Sequence, residues 1–237
     1  DGRRNAWVKV MQKRAQTLYN AEARAVLDAI EGKSIGEAEN AAKYAIQGLS
    51  DTWMKTLTAA ALVMVEDFGT DTADALTGSK TISVKTFDPG AAAIKAWAAQ
   101  HAAANVTSIL STNIDDVRRV IFDAIGENLT VPQLAKQIRD FYADRNTYKA
   151  YRLARTEVSE AAGFGQHEAA RQTGVVKTHQ WISSRDGRVR DSHAAIDGET
   201  KALDQPFSNG LMYPGDASGP PEEVIQCRCV EAFGTGE

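Results

Sequence analysis

The sequence contains few of the features that mark a secreted, membrane-spanning or nucleic-acid-coating protein. Only 2 of its 237 residues are cysteine, so we do not expect a small secreted scaffold held together by disulfides. No apolar run approaches the ~20 residues that span a bilayer, and the N-terminal residues lack the apolar segment of a signal peptide. The formal net charge of −4 does not indicate a chain built to coat nucleic acid, although it leaves room for a local basic face. We expect a soluble, unsecreted protein without membrane contacts.

The first two-thirds of the chain has the apolar periodicity of α-helices. Apolar residues recur at steps of three and four, and short turns separate the periodic segments. This arrangement favours antiparallel helices, because each helix has only one apolar stripe to bury. The predicted helices cover residues 4–30, 36–49, 51–65 and 89–110. Residues 69–87 lose the periodicity, which predicts an extended arm or short edge strand and a candidate for ordering on assembly.

A second unit is predicted to begin at Thr112. Its predicted elements are helices over 112–126, from Thr130 onward and over 146–172, and strands over 177–182 and 224–230. The last of these helices carries a stripe of small residues that lets another element approach its backbone. Asp186-Gly187 predicts a hairpin turn that returns through Arg188–Arg190. The expected fold class is α+β and predominantly α, with a helical region over 1–111 and a domain over 112–237 that combines helices with a few antiparallel strands.

The two cysteines are expected on the final predicted strand. Cys227 and Cys229 are two positions apart, which places both thiols on one buried face of that strand, about 7 Å from each other. That separation is beyond easy disulfide reach. We therefore do not expect the two thiols to be joined to each other.

Several short motifs follow one another through the second unit. They are Arg155-Thr156-Glu157 on a helix, Trp181, Arg188-Val189-Arg190 with His193 three residues later, Asp197-Gly198, Pro214-Gly215-Asp216 and Cys227-Arg228-Cys229. Their order and spacing resemble the C-terminal domain of the phage Mu F-like minor head proteins, also called the phage head morphogenesis family. The resemblance covers roughly residues 114–233. Gln226 departs from the pattern, because the family more often has Asn before the C-R-C motif.

The resemblance implies a minor head protein of a tailed phage or phage-like particle. Such a protein is an accessory capsid component that binds the portal, the capsid shell or a scaffold. It acts in head assembly and in genome packaging or delivery, and it is found in the virion head and, during assembly, in the host cytoplasm. By resemblance, the structural motif of the domain comprises Arg155, Glu157, Trp181, Asp186, Arg190, His193, Gly198, Cys227 and Cys229.

Three hypotheses compete for the chemistry around His193. The first is a tetrahedral zinc site, because a C-x-C pair with a distant histidine and a carboxylate supplies four ligands of the right kind. Its predicted ligands are His193, Asp191, Cys227 and Cys229. A C-x-x-C knuckle is absent, and free cysteines are among the residues most often buried for packing alone.

The other two hypotheses use the arginines near His193. In a nuclease or toxin-like enzyme, His193 would act as the acid or base with Arg190 and Arg155, but no acid/base partner with diagnostic spacing is present. In a structural network, which we favour, His193, Asp191, Arg190 and Arg155 pair the backbone groups of a loop-rich domain. We therefore expect binding rather than turnover, and no cofactor.

Overall fold

The computed structural model describes residues 2–78 and 86–235, apart from the side chains of residues 144 and 145. Across these residues the fold is α+β, with 69% helix and a small antiparallel sheet, which confirms the expected fold class. The long helices are α1 (Gly2–Ile30), α2 (Ile35–Gln47), α3 (Ser50–Thr77), α4 (Ala92–Gly126) and α5 (Val131–Thr173). The shorter elements are β1 (Thr178–Ile182), α6 (Asp191–Ala195), β2 (Thr200–Ala202), α7 (Pro221–Val224) and β3 (Val230–Gly234).

Local capping fixes where two of the helices begin. The backbone N–H of Ser34, just before α2, donates a 2.9 Å hydrogen bond to Glu37 Oε2. The backbone N–H of Thr130, just before α5, donates in the same way to Gln133 Oε1 at 2.8 Å. Each bond satisfies a backbone donor at the end of a helix. The predicted helix start at Thr130 is therefore confirmed.

Two of the predicted helix breaks are wrong. Helix α4 runs without interruption through Thr112, and α5 continues through Asn146, so each replaces two shorter predicted helices. No glycine or proline interrupts α4 before Gly126. Its polar Asn113 is buried and donates a 3.0 Å hydrogen bond to Glu22 Oε2. Packing of this kind overrides the weak local preference of a threonine for a helix start.

Helix α3 is longer than the sequence pattern predicts. Residues 69–77 are helical rather than part of an arm, because Phe68, Thr72 and Ala73 continue the buried stripe of the helix. Residues 86–88 have no regular structure. The predicted arm at residues 79–85 lies outside the described residues.

The chain groups into two compact units, each assembled from separate stretches of sequence. Unit one contains residues 1–8, 60–98 and 152–237, and unit two contains residues 9–59 and 99–151. The predicted division between residues 111 and 112 lies within α4.

The hydrophobic core of unit two contains the side chain of Glu22. Met11, Trp53 and Ile121 are among its fully buried side chains. Glu22 is equally buried, and it accepts hydrogen bonds from the Tyr142 hydroxyl at 2.8 Å and from Asn113. The carboxylate thus links helices α1, α4 and α5 within the unit.

The sheet of unit one has the strand order β2-β1-β3, and both pairings are antiparallel. Strand β1 confirms the first predicted strand. The predicted hairpin return through Arg188–Arg190 is wrong, because β1 pairs with β2, where Gln180 lies opposite Thr200. The residues between β1 and β2 form bends and the short helix α6 instead.

The second predicted strand, over residues 224–230, is also wrong. Helix α7 ends at Val224, a turn and irregular residues follow it, and β3 begins only at Val230. Gln226 gives the physical reason, because its left-handed backbone, with φ of 58°, interrupts an extended strand. Pro221 lies in the first turn of α7, a position that suits proline.

Helices α3 and α5 approach each other closely within unit one. A Cβ atom on Gly165 would lie 2.9 Å from the Val65 carbonyl oxygen, and one on Gly69 would lie 3.1 Å from the Gly165 carbonyl oxygen. Both distances are shorter than ordinary van der Waals contacts, so glycine is required for this packing. The predicted stripe of small residues on the long helix is confirmed as a surface for close approach.

Candidate functional site

Three side chains from distant parts of the sequence meet in the core of unit one. They are His193 on α6 and Cys227 and Cys229 in the segment between α7 and β3, and we call them the His193 cluster. None of the three is more than 3% exposed. The cysteines pack with Trp181 and Phe207, which are also buried. The expectation that both cysteines are buried is confirmed.

The backbone of the turn determines where the two thiols point. Gln226 has a left-handed conformation with φ of 58°, and its N–H donates a 3.1 Å hydrogen bond to Thr156 Oγ1 on α5. The ligand atoms of the His193 cluster all lie within 4.8 Å of one another. The predicted 7 Å separation of the thiols is therefore wrong, because Cys227 and Cys229 lie in an irregular segment before β3 and not on an extended strand.

His193 places its two ring nitrogens against different kinds of group. Nδ1 lies 3.4 Å from Cys229 Sγ and 3.8 Å from Cys227 Sγ. Nε2 lies 2.8 Å from Glu223 Oε2, which is an ion-pair distance. The Nε2–H of His193 is not aligned for a hydrogen bond. Glu223 also accepts a 2.9 Å hydrogen bond from Ser192 Oγ. The imidazole is therefore held between two sulfur atoms and a carboxylate.

The two thiols of the cluster differ in how readily they lose a proton. The hydrogen bond from Cys229 holds the pKa of the Cys227 thiol well below its usual value against the effect of burial, and His193 acts in the same direction as Cys229. That hydrogen bond and burial raise the pKa of the Cys229 thiol. Cys227 is therefore the thiol of the pair that loses its proton more readily.

Arginine side chains hold the backbone around the His193 cluster. Arg190 donates a hydrogen bond to the Ile225 carbonyl. Arg4 on α1 donates to the Cys229 carbonyl at 3.2 Å and to Gln166 Oε1 at 3.0 Å. A guanidinium can pair several acceptors at once, which suits carbonyls that no strand ladder satisfies. Sequence spacing gives no signal for Arg4, which lies 225 positions before Cys229.

The remaining predicted site residues lie around the cluster rather than in it. Asp186 forms a salt bridge with Arg228, and the hydrogen bond from this guanidinium lowers the pKa of Asp186. Asp191 is exposed and is not among the converging ligand atoms, so it does not complete the predicted metal site. On α5, Glu157 is buried and Arg155 is half-buried.

Trp181 and Gly198 belong to the framework that positions His193. Trp181 is fully buried, and its ring centroid lies 4.9 Å from that of the His193 imidazole in an edge-on arrangement. The Gly198 N–H donates a 2.8 Å hydrogen bond to the Trp181 carbonyl. Gly198 has φ of 84°, a conformation that favours glycine. The predicted turn at Asp197-Gly198 is confirmed.

A second group of titratable side chains in unit one was not predicted. His167, His179 and Glu231, which we call the His179 cluster, have converging ligand atoms. Glu231 Oε1 lies 2.7 Å from His179 Nδ1 and 3.1 Å from His167 Nδ1. The other nitrogen of His179 lies 2.9 Å from the Gln205 carbonyl oxygen.

The hydrogen-bond partners of His179 indicate which atoms of the His179 cluster carry hydrogens. Because a carbonyl oxygen only accepts, Nε2 of His179 carries a hydrogen. A hydrogen bond between Nδ1 and the Glu231 carboxylate then needs a second proton, either on the ring or on the carboxyl group. Glu231 lies on β3, which pairs with β1, whereas the predicted final strand ended at Val230.

Comparison with known proteins places the His193 and His179 clusters in a named domain. Residues 115–232 match the family described as Phage Mu protein F like protein. The C-terminal half of this chain belongs to that family, which confirms the resemblance.

Two curated proteins have similar sequences. One is the uncharacterized protein YqbB of Bacillus subtilis (strain 168), with 27% identity over 146 residues, covering 58% of this chain and 46% of that protein. The other is an uncharacterized protein of Haemophilus influenzae, with 28% identity over 126 residues, covering 53% of this chain and 26% of that protein. The chain thus spans less than half the length of either relative. No solved structure matches it. Among the described residues, no helix combines the length and apolarity needed to cross a membrane.

Proposed function

We propose that the protein is a minor head component of a tailed phage or phage-like particle. In this proposal it acts in head assembly and in genome packaging or delivery by binding the portal or the capsid shell. The family match over residues 115–232 is the observation that carries the proposal. The two relatives do not indicate an activity, because both are described as uncharacterized.

The burial of His193 favours binding over catalysis. Its side chain is 1% exposed, so a substrate would reach the imidazole only if the surrounding loops opened. A general acid or base must lie within hydrogen-bond reach of the reacting group. The polar contacts of His193 are instead directed at Cys227, Cys229 and Glu223, within the domain.

Exposed aromatic residues on unit two support a contact surface for another subunit. Phe122 on α4 and Tyr148 on α5 are 59% and 63% exposed. Each is followed three positions later by another exposed large apolar side chain, Ile125 and Tyr151 respectively, so each pair lies on one side of its helix. Tyrosine and phenylalanine are enriched in protein interfaces, where they supply much of the binding energy. We assign these two pairs to the binding of a head subunit.

Particle incorporation tests the proposal. The protein is co-expressed with the portal and shell proteins of its own phage, particles are isolated by sedimentation, and the amount of incorporated protein is measured. We expect Phe122→Asp and Tyr148→Asp to reduce incorporation about tenfold or more, the effect of losing a central aromatic contact. Val63→Asp is the matched control, since Val63 is an exposed apolar residue of unit one. Incorporation of both aromatic variants at the wild-type level would contradict the assigned surface.

A further inference from the structure

We propose that the His193 cluster is a zinc site, with Nδ1 of His193 and the Sγ atoms of Cys227 and Cys229 as its protein ligands. The site would connect α6 to the turn before β3, within unit one. It is independent of the proposed head function, because it rests only on the geometry and chemistry of these three side chains.

The two nitrogen–sulfur distances of the cluster match those of a tetrahedral zinc ion. With Zn–S near 2.3 Å and Zn–N near 2.0 Å, tetrahedral angles separate nitrogen and sulfur ligands by about 3.6 Å. The observed distances from His193 Nδ1 are 3.4 Å to Cys229 Sγ and 3.8 Å to Cys227 Sγ. Only small movements of the side chains are therefore needed to bind the ion.

The hydrogen-bonding capacity of the cluster also favours a cation. A neutral imidazole nitrogen has either one hydrogen or one lone pair, so Nδ1 cannot form a good hydrogen bond with both thiols. A divalent cation between the three atoms accepts a lone pair from each of them. Two thiolates also balance the charge of Zn²⁺, which allows the ion to occupy a buried position without a net charge.

Glu223 occupies the position expected of a carboxylate that orients a metal-bound histidine. If Nδ1 binds the metal, the ring hydrogen is on Nε2, and that nitrogen lies 2.8 Å from Glu223 Oε2. A carboxylate near this nitrogen favours the tautomer in which Nδ1 is free to bind a metal, although the Nε2–H is not aligned for a hydrogen bond in this structure. Ser192 holds Glu223 in place through a 2.9 Å hydrogen bond.

The site has three protein ligands in the described chain. Asp191, the fourth ligand expected from the sequence, is exposed. The fourth tetrahedral position is therefore left to a water molecule. Binding would join segments 34 positions apart in a region of short strands and turns, where a cross-link restricts the unfolded chain more than a local contact does.

Metal analysis of the full chain tests the proposal. The 237-residue protein is purified with reductant and without chelator, and its zinc content is measured by mass spectrometry. The metal is then removed and replaced with Co²⁺, whose absorption spectrum reports thiolate ligands and four-coordinate geometry. We expect one equivalent of metal, thiolate-to-cobalt absorption in the near ultraviolet and a lower melting temperature after metal removal.

Variants distinguish this site from the His179 cluster. His193→Ala and Cys227→Ser are expected to weaken Co²⁺ binding more than tenfold, while His179→Gln, the matched control, leaves the thiolate absorption unchanged. Absence of bound zinc together with absence of the cobalt–thiolate band in wild-type protein would overturn the proposal, and this reading does not depend on any variant folding. Two other results would also overturn the proposal. One is metal retained by the Cys227→Ser/Cys229→Ser double variant, and the other is a disulfide between the two cysteines in protein purified with reductant.

Discussion

Glu22 Oε1 accepts a 2.8 Å hydrogen bond from the hydroxyl of Tyr142, which lies 120 positions later in the chain. Glu22 is fully buried, and burial raises its pKa above the ordinary value of 4.5, although hydrogen bonds from Tyr142 and Asn113 act in the opposite direction. The core of unit two therefore contains a carboxyl group that holds its proton more tightly in the folded state than in the unfolded state.

This raised pKa predicts a specific pH dependence of stability. Between 4.5 and the raised pKa the folded state binds more protons than the unfolded state, so the stability contributed by Glu22 falls as the pH rises through that window. Glu22→Gln removes the titration. We expect its free energy of unfolding, measured relative to wild type by urea denaturation, to rise with pH by up to about 1.4 kcal/mol per unit.

An exposed carboxylate of unit two provides the control for Glu22. The hydrogen bonds from Ser34 lower the pKa of Glu37, so its contribution to stability is present above the ordinary pKa and lost as the pH falls. Glu37→Gln should therefore become less stable relative to wild type as the pH rises. A pH-independent difference between Glu22→Gln and wild type would contradict the buried-carboxyl assignment.

The pairing of Asp186 with Arg228 predicts a measurable titration shift. The hydrogen bond from Arg228 is the largest cause of the lowered pKa of Asp186. The stabilising effect of this ion pair is therefore present at neutral pH and lost as the pH falls through the lowered value. Carboxyl-carbon NMR should show the pKa of Asp186 below its usual range in wild type and close to that range in Arg228→Ala. No change between the two proteins would show that Arg228 is not the cause.

The close approach of α3 and α5 predicts a cost for a single added methyl group. In Gly165→Ala the new Cβ would meet the backbone of Val65 at 2.9 Å from the carbonyl oxygen, which cannot move away as a flexible side chain can. We expect the free energy of unfolding to fall by about 1–3 kcal/mol. Gly36→Ala on α2 is the control, because its Cβ would meet nothing within 4 Å; it should be neutral or stabilising by up to about 1 kcal/mol. Equal stabilities of the two variants would argue against the observed packing.

The burial of His193 predicts that the purified protein does not cleave nucleic acid. RNA and DNA substrates should remain intact with wild-type protein and with His193→Ala, over a range of added divalent metals. Cleavage by wild type that disappears in the variant would instead support the nuclease hypothesis. His167→Ala serves as the control for a general effect of removing a histidine.

The sequence predicted the helices of this fold better than their ends. Apolar residues at steps of three and four are a strong signal, so α1 and α2 lie close to their predicted bounds. The capping signal at Thr112 was misleading, because the same short polar pattern is tolerated inside a helix when its neighbours are paired, as Asn113 is with Glu22. The strand over 224–230 was predicted from alternation alone, which the left-handed backbone of Gln226 overrides.

The identity of the His193 cluster was easier to predict than its geometry. A C-x-C pair and a distant histidine were enough to suggest Cys227, Cys229 and His193 as partners. The left-handed residue at Gln226 was not predictable from glutamine itself; asparagine, which the resembled family more often has there, adopts that conformation more readily. Glu223 and Arg4 reach the His193 cluster only because the folded chain brings them there. Their spacing in the sequence gives no signal of this contact.

The protein content of purified particles tests the proposed head function most directly. Particles of the phage that encodes this chain are separated from free protein by density-gradient centrifugation, and their components are quantified by mass spectrometry. The proposal predicts that the protein is present in a small, constant number of copies per particle. Its absence from particles, when it is abundant in the cells that produced them, would contradict the proposal.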